Sequence, residues 1–426
     1  MKKIAYLSLG LMLTLTSCEN YDNIIPEEYN KILSMKVFGE QDLTLYETGE
    51  QTEYNIVVMK SGAKPDETAE ATVDVMNEAQ FEKLKTESGR PYKMLPAECF
   101  ALSDNKMKFG STDMWKTAKL TIDPMKVKKY VEESPNYVLP VITTSQSDSI
   151  LATANTLVLK SIQIIKPAVS FGDVTNYSIT KEIGKDGGTV EIPFTMQIDN
   201  LWDFNTLVGV VPDLTTFDTS DYSLADGGKV AFTKGAMGKL KIDFQPMKHA
   251  IAKLGLQIKG MEGKSFGYDE TPVVLTARVP KYPLTAAMLS SNAVEPSEGS
   301  LANLLDGDIN TYFHSSWSVW VDPAHYVQID LPEAVSSFAF SYTNRSSNGN
   351  AAMADFSVYA GNDESSLVEL KHYTMAQDNL PGGAAGVFNS GELKPSEPVK
   401  IIRFVHNVNK TNEKFFVWSE FSLFAI

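Results

Sequence analysis

Two short passages occur twice in this sequence, and their spacing limits what the chain can fold into. FALSDNKMKF at Phe100–Phe109 returns as YSLADGGKVAF at Tyr222–Phe232, with one inserted residue. AKLTIDPMK at Ala118–Lys126 returns as GKLKIDFQPMK at Gly238–Lys248. The copies stand about 122 residues apart, from Phe100 to Tyr222, well beyond the 20–50-residue period of solenoids and propellers. Each copy must therefore be a whole domain, and the two are tandem. Tyr54–Val58, Ala71–Val75, Ala118–Ile122 and Thr156–Ile165 alternate or are rich in β-branched residues, which predicts strands. A short helix is expected over 77–89, with Asn77 as N-cap, Gln80 at the reciprocal position and Gly89 ending it. Asp123-Pro124 opens a second, with proline at the first helical position. The first sandwich is placed at 32–166 and the second at 167–281, with proline-bearing joints at Lys166-Pro167 and Pro280–Pro283.

The first 17 residues are read as a signal peptide. Lys2-Lys3 form a basic n-region, and Ile4–Leu15 an apolar stretch too short to span a bilayer. Leu15-Thr16-Ser17-Cys18 resembles a bacterial lipobox, which implies cleavage before Cys18 and lipidation of its thiol. Several acyl chains on one cysteine would hold the chain durably at a membrane. Residues 18–31 then act as a tether. The acids that follow Cys18 resemble the surface-export pattern of Bacteroidetes lipoproteins, so an outer-membrane location facing the exterior is expected. Cys99 is the only other cysteine, so no intrachain disulfide is open to a chain with Cys18 lipidated. Its apolar neighbours predict a buried thiol. A net charge of −15 argues against nucleic acid, which needs a basic stripe.

Chemistry concentrates in Asn303–Trp320, NLLDGDINTYFHSSWSVW. Asp306-Gly307-Asp308 makes a tight turn in which two carboxylates can face one point, and Asn303 and Thr311 lie three residues to either side. Hard cations such as calcium take six to eight oxygens from carboxylates, carbonyls and hydroxyls. The set here is short of that number, and Ser419-Glu420 is the candidate for completing it from a distance. Asp and Gly are also the default residues of an ordinary solvated turn.

LLDGDINTYFHSSW is followed by HYVQIDL (325–331), FAFSYTNR (338–345), DFSVYAGND (355–363), KIIRFVHNV (400–408) and WSEFSLF (418–424). In that order they resemble the coagulation factor 5/8 type C, or discoidin, domain, a group that includes family 32 carbohydrate-binding modules. The resemblance spans 284–426. It implies a jelly-roll sandwich with functional loops at one end. It also implies a structural calcium held by the Asn303 carbonyl, the Asp306 carboxylate, the Asp308 carbonyl, Thr311 through carbonyl and hydroxyl, the Ser419 carbonyl and the Glu420 carboxylate. A sugar site beside it would use His314, Asn344, Arg345 and Asn350, with Trp317 and Trp320 as stacking rings. The Gly-rich loop 378–390 is expected to bring Phe388 to the same rim. The strands of this domain are placed at Tyr326–Leu331, Val335–Tyr342, Phe356–Tyr359, Ile401–Val405 and Phe415–Phe424. Trp418 falls in an alternating apolar strand and is assigned to the core. The first sandwich resembles the domain of unknown function found near the N-terminus of many Bacteroidetes surface lipoproteins, which implies a spacer role.

The fold class is thus all-β: two tandem immunoglobulin-like β-sandwiches with short helices, then a discoidin-like jelly roll. The sequence contains no Ser-His-Asp arrangement, HExxH, phosphate loop or CxxC, and nothing marks a carboxylate pair held across a sugar cleft. Trp115 and Trp202 are assigned to sandwich core or edge, with exposed stacking platforms as the alternative; His325, His372 and His406 are assigned structural roles. The expected function is capture of oligosaccharide or polysaccharide at the cell surface, without catalysis, beside an outer-membrane transporter or glycosidase. An adhesin for host protein or lipid, and a hydrolase on an unfamiliar β-scaffold, are the alternatives. Exposed apolar spikes at the loop tips would favour lipid.

Overall fold

A computed structural model describes residues 26–322 and 324–426. The signal-peptide and lipidation readings, Cys18 included, lie outside the described residues. The chain divides into two compact units, 1–167 and 168–426.

The first unit is one sandwich. One sheet runs, in spatial order, Ser149–Ile150, Ile32–Met35, Thr52–Ser61, Trp115–Ile122 and Phe100–Ser103. The other runs Gly39–Tyr46, Thr156–Ile165, Tyr137–Thr144, Ala69–Val75 and Lys106–Phe109. Alternating residues of both sheets meet in the core, among them Ile56, Val58, Val73, Leu120, Val141 and Leu159. Each such side chain contributes about 1.5–3 kcal/mol by leaving water. The helix Glu78–Ser88 forms as its caps predict. The Asn77 side chain accepts from Gln80 N, the Gln80 side chain accepts from Asn77 N, and Gly89 closes the helix at φ 65°. Asp123 caps the helix Pro124–Glu133 by accepting from Met125 N and Lys126 N. Cys99 is fully buried, and burial pushes its thiol up to about 11.

Trp115 departs from its expected place. Ala118, Leu120 and Ile122 point into the core, so the pleat turns residue 115 outward. Its ring is 66% exposed beside Met59, its cross-strand partner.

The second unit begins with a sandwich of the same topology. Gly267–Tyr268, Ala168–Phe171, Gly188–Met196, Lys239–Phe244 and Tyr222–Leu224 form one sheet. Ser178–Glu182, Val273–Arg278, Ile251–Glu262, Phe204–Val210 and Lys229–Phe232 form the other. The repeated passages occupy equivalent strands. Phe100 pairs with Ile122 in the first copy, and Tyr222 with Phe244 in the second. Even the turn is kept: Asp104 and Asp226 both sit at positive φ, 52° and 50°. Trp202 packs on Phe266 at 5.0 Å against this core.

The remaining strands make a third sandwich in the same unit. Leu289–Ser290, Tyr326–Val335, Val399–Asn409, Met353–Gly361 and Val368–Thr374 form a five-stranded sheet. Phe313–His314, Val417–Ala425, Phe338–Asn344 and Val387–Asn389 form a four-stranded one. Trp418 is fully buried, stacked on Tyr342 at 4.9 Å and set edge-on to Phe404 and Phe416. Phe388 lies in this core rather than at the rim, because the alternation of Val387–Asn389 turns it inward. The chain does not hang loosely between these two sandwiches. Tyr282 N donates to Leu423 O at 2.7 Å, and Ala339 and Phe424 belong to the core of the second sandwich. Among the described residues no helix is long and apolar enough to cross a membrane.

Candidate functional site

The turn after the short helix Leu301–Leu304 is organised around Asp306. Its carboxylate accepts from Asp308 N at 2.9 Å and from the Thr311 hydroxyl at 2.6 Å. Gly307 makes the turn at φ 78°, the left-handed region where glycine carries no Cβ penalty. The carboxylate that meets Asp306 is Glu420, on the last strand. Asp308 turns its own carboxylate to Asn310 N and Nδ2 instead, so the paired-acid reading of the turn holds for 306 and 420 rather than 306 and 308. Burial, then the charge of Asp306, pushes Glu420 above the usual carboxylate range. Asp306 is held below it by the Thr311 hydroxyl and the Asp308 N–H. Two acids brought together separate in this way when they share one site.

One oxygen of Glu420 and the hydroxyl of Ser419 are buried with no hydrogen-bond partner. Asn303 spends its amide on Tyr312 O at 2.9 Å and on Ser300. That ties the helix end to the strand that follows. The donor chemistry is two carboxylates and a hydroxyl among backbone carbonyls, with an orphaned carboxylate oxygen, and it suits a hard cation. No group of three or more acidic, histidine or cysteine side chains gathers at one point among the described residues.

Next to this turn the loops build an exposed aromatic crown. Trp317 and Trp320 are 55% and 75% exposed. Trp317 is held from two sides. Its indole N–H donates to Glu298 at 3.1 Å, and its backbone N–H donates to Glu295 at 3.0 Å. Glu295 is buried, and loop groups donate to its carboxylate: Trp317 N, Ser318 N, Ser318 Oγ and Ser297 Oγ. Burial pushes its carboxyl up, but these donors outweigh burial and hold it down at about 2. Glu298 also accepts from the Tyr312 hydroxyl at 2.7 Å, and His314 Nε2 lies 3.9 Å from it. The Arg345 guanidinium lies over the Tyr312 ring, 4.1 Å from its centroid. Gly299, at φ 73°, permits this closeness; a Cβ there would stand 2.7 Å from His314 N.

Glu298, Tyr312, His314, Trp317 and Arg345 therefore form one cluster, with Trp320 nearby in the same loop, under Lys414 at 4.6 Å. Sequence reading named four of these residues but not Glu298 or Tyr312, because nothing local ties 298 to 317. His314 is buried and donates from Nδ1 to Ser315 O, so only its Nε2 edge faces the cluster. Asn344 is a correction. It is fully buried, and its amide donates to Pro381 O and Gly383 O, so it fastens the Gly-rich loop and does not face solvent. Asn350 is exposed on the neighbouring loop, where its backbone N–H donates to Asn348 Oδ1, and it is not joined to the cluster.

The fold and crown define a discoidin-type sandwich carried on a duplicated β-sandwich. Residues 287–421 match the F5/8 type C domain model. Residues 21–150 match a model described as an "-like, N-terminal domain", which stops short of the strand Thr156–Ile165 that completes the sandwich. Among solved structures, the Clostridium perfringens module CpGH89CBM32-5, determined with GalNAc-β-1,3-galactose, is 14% identical over 34% of this chain and 100% of that one, with a TM-score of 0.29. The C-terminal domain of a Bacteroides fragilis chitobiase is 18% identical over 34% and 98%, TM-score 0.28. A two-domain Bacteroides fragilis protein of unknown function is 11% identical over 61% and 94%, TM-score 0.25. Likeness at this level says nothing about ligand. No curated protein matches the chain.

Proposed function

We propose that the chain is a non-catalytic glycan-binding lipoprotein of the outer-membrane surface. One observation carries this reading: an exposed Trp317, its indole N–H fixed by Glu298, stands in one cluster with Arg345. A flat ring covers the apolar C–H face of a sugar, while carboxylate and guanidinium take its hydroxyls in pairs. Cys18 would carry the lipid, the duplicated sandwiches would raise the crown from the membrane, and captured oligosaccharide would pass to a neighbouring transporter or glycosidase. Loop sites of this kind compete with water for every hydroxyl, so affinities should be roughly micromolar to millimolar. Calcium would be held by Asn303, Asp306, Asp308, Thr311, Ser419 and Glu420, where it offsets the repulsion of the paired acids.

A glycan array with wild type, Arg345→Ala and Trp317→Ala tests the reading. Sugar binding lost in both variants supports it, and binding retained in both overturns it. A second reading has its own observation. Trp317, Val319 and Trp320 are each more than half exposed at one loop tip, the spike arrangement that inserts into lipid headgroups. The net charge of −15 and Glu298 in the cluster oppose an anionic surface. Sedimentation with zwitterionic and anionic vesicles separates the two readings.

A further inference from the structure

The second unit has a second concave place, where its two sandwiches meet. The floor is the outer face of the sheet that contains Ser178–Glu182, Val273–Arg278 and Ile251–Glu262. Thr180, Thr276 and Lys253 stand in one register row across those three strands, at the roughly 4.8 Å interval of neighbouring strands. Arg278 and Ile251 stand in the next row. Their in-between neighbours Ile179, Leu275, Ala277, Ala252 and Leu254 all point into the core, so the pleat turns Thr180, Thr276, Lys253 and Arg278 to this face, with Ile251 as its apolar member. The wall is the segment Asn389–Glu392 of the C-terminal sandwich. The resulting groove has a volume of about 730 Å³. Pockets of this size at domain seams are where ligands are commonly held.

The wall cannot swing away freely. Glu392 accepts from Ala250 N at 3.2 Å and meets His249 Nδ1 at 2.8 Å, while the Ser337 hydroxyl accepts from Ala250 N and donates to Glu392. Arg278 lies 4.4 Å over the Phe424 ring and pairs with Glu182 at 3.1 Å. The one acid of the wall is thus already engaged. Lys253 is different: it is exposed and forms no ion pair among the described residues. The groove therefore offers an uncommitted ammonium, a guanidinium, the hydroxyls of Thr180, Thr216 and Thr276 and the amide of Asn389. It has no aromatic ring to stack on. A neutral sugar gains little there, and the uncommitted ammonium of Lys253 adds a reason to prefer an acid group.

We propose that this groove is a second saccharide site, selective for a carboxylate-bearing sugar unit. Lys253 takes the carboxylate, and the threonine row with Asn389 takes the ring hydroxyls. Neither the crown residues nor the cation turn contribute to it.

The test is titration calorimetry of the whole chain with oligogalacturonate and with the same oligomer methyl-esterified. Wild type should bind the acid form at least tenfold more tightly, and the difference should shrink as salt rises. Lys253→Gln and Asn389→Ala should each weaken the acid form at least fivefold, while Arg345→Ala leaves it unchanged. Both substituted groups are exposed, and an unchanged melting curve confirms that the fold is kept. The proposal fails if the acid form does not bind, if the ester binds as well, or if Lys253→Gln has no effect. Binding abolished by Arg345→Ala alone assigns the ligand to the crown and also overturns it. None of these outcomes counts against the crown reading, which rests on the glycan array.

Discussion

At the scale of single residues, buried charge does most of the positioning. Glu295 touches no ligand in the proposed reading, yet four donors from the Trp317 loop and its approach converge on it. Glu295→Gln exchanges acceptors for a donor where only acceptors are wanted. Sugar affinity should fall roughly tenfold, the tryptophan emission should shift, and the melting temperature should move little. His406 sets a pH limit. Burial holds its imidazole down to about 4, against about 6.5 in an unfolded chain. Between those values the unfolded chain binds the extra proton, so stability falls as pH drops from 6.5 and the loss is complete below 4. The contribution is up to about 3 kcal/mol. Urea midpoints at pH 7 and pH 4.5 should differ more in wild type than in His406→Gln. Some of this was legible in the sequence. Trp418 in an alternating apolar strand reads correctly as core. The same logic covers Trp115: the inward phase of Ala118, Leu120 and Ile122 puts 115 outside, and phase outranks residue size. Glu298 was not legible, because its partner is 19 residues away across two loops.

At the scale of elements, local chemistry and long-range pairing divide the work. The helix Glu78–Ser88 ends where its caps place it, because both signals lie within the element. Removing the reciprocal cap with Asn77→Ala should cost about 1 kcal/mol in denaturant midpoint without changing the slope. Asn344 teaches the opposite lesson. It terminates a strand in a motif whose arginine belongs to the crown, and sequence gives no sign that its amide is drawn into the loop at Pro381 and Gly383. Asn344→Leu should loosen 381–386, seen as faster amide exchange there, while Arg345 keeps its place over Tyr312. The cation turn was legible locally in its acids and hydroxyl, while the meeting of Asp306 with Glu420 was carried only by the family resemblance. That partner is supplied by the last strand, more than a hundred residues later.

At the scale of the molecule, duplication explains the first two sandwiches, and a shared core explains why the second and third form one unit. The repeated passages revealed the duplication; the shared core was hidden, because prolines at 280 and 283 look the same in a loose joint and a packed one. Chelation should lower the melting temperature of the 168–426 unit by linkage, with 1–167 unaffected; a chelator-insensitive curve counts against a bound calcium. The packed joint has one more consequence. Asn389 pairs with Ser341, and Arg345 lies four residues further along, so roughly 13 Å of strand separates groove from crown. A polymer caught at one of them is presented to the other at a high effective concentration, with no linker entropy to overcome. Modest individual contacts would then add up to a long residence time for chains that satisfy both, and short fragments would simply leave.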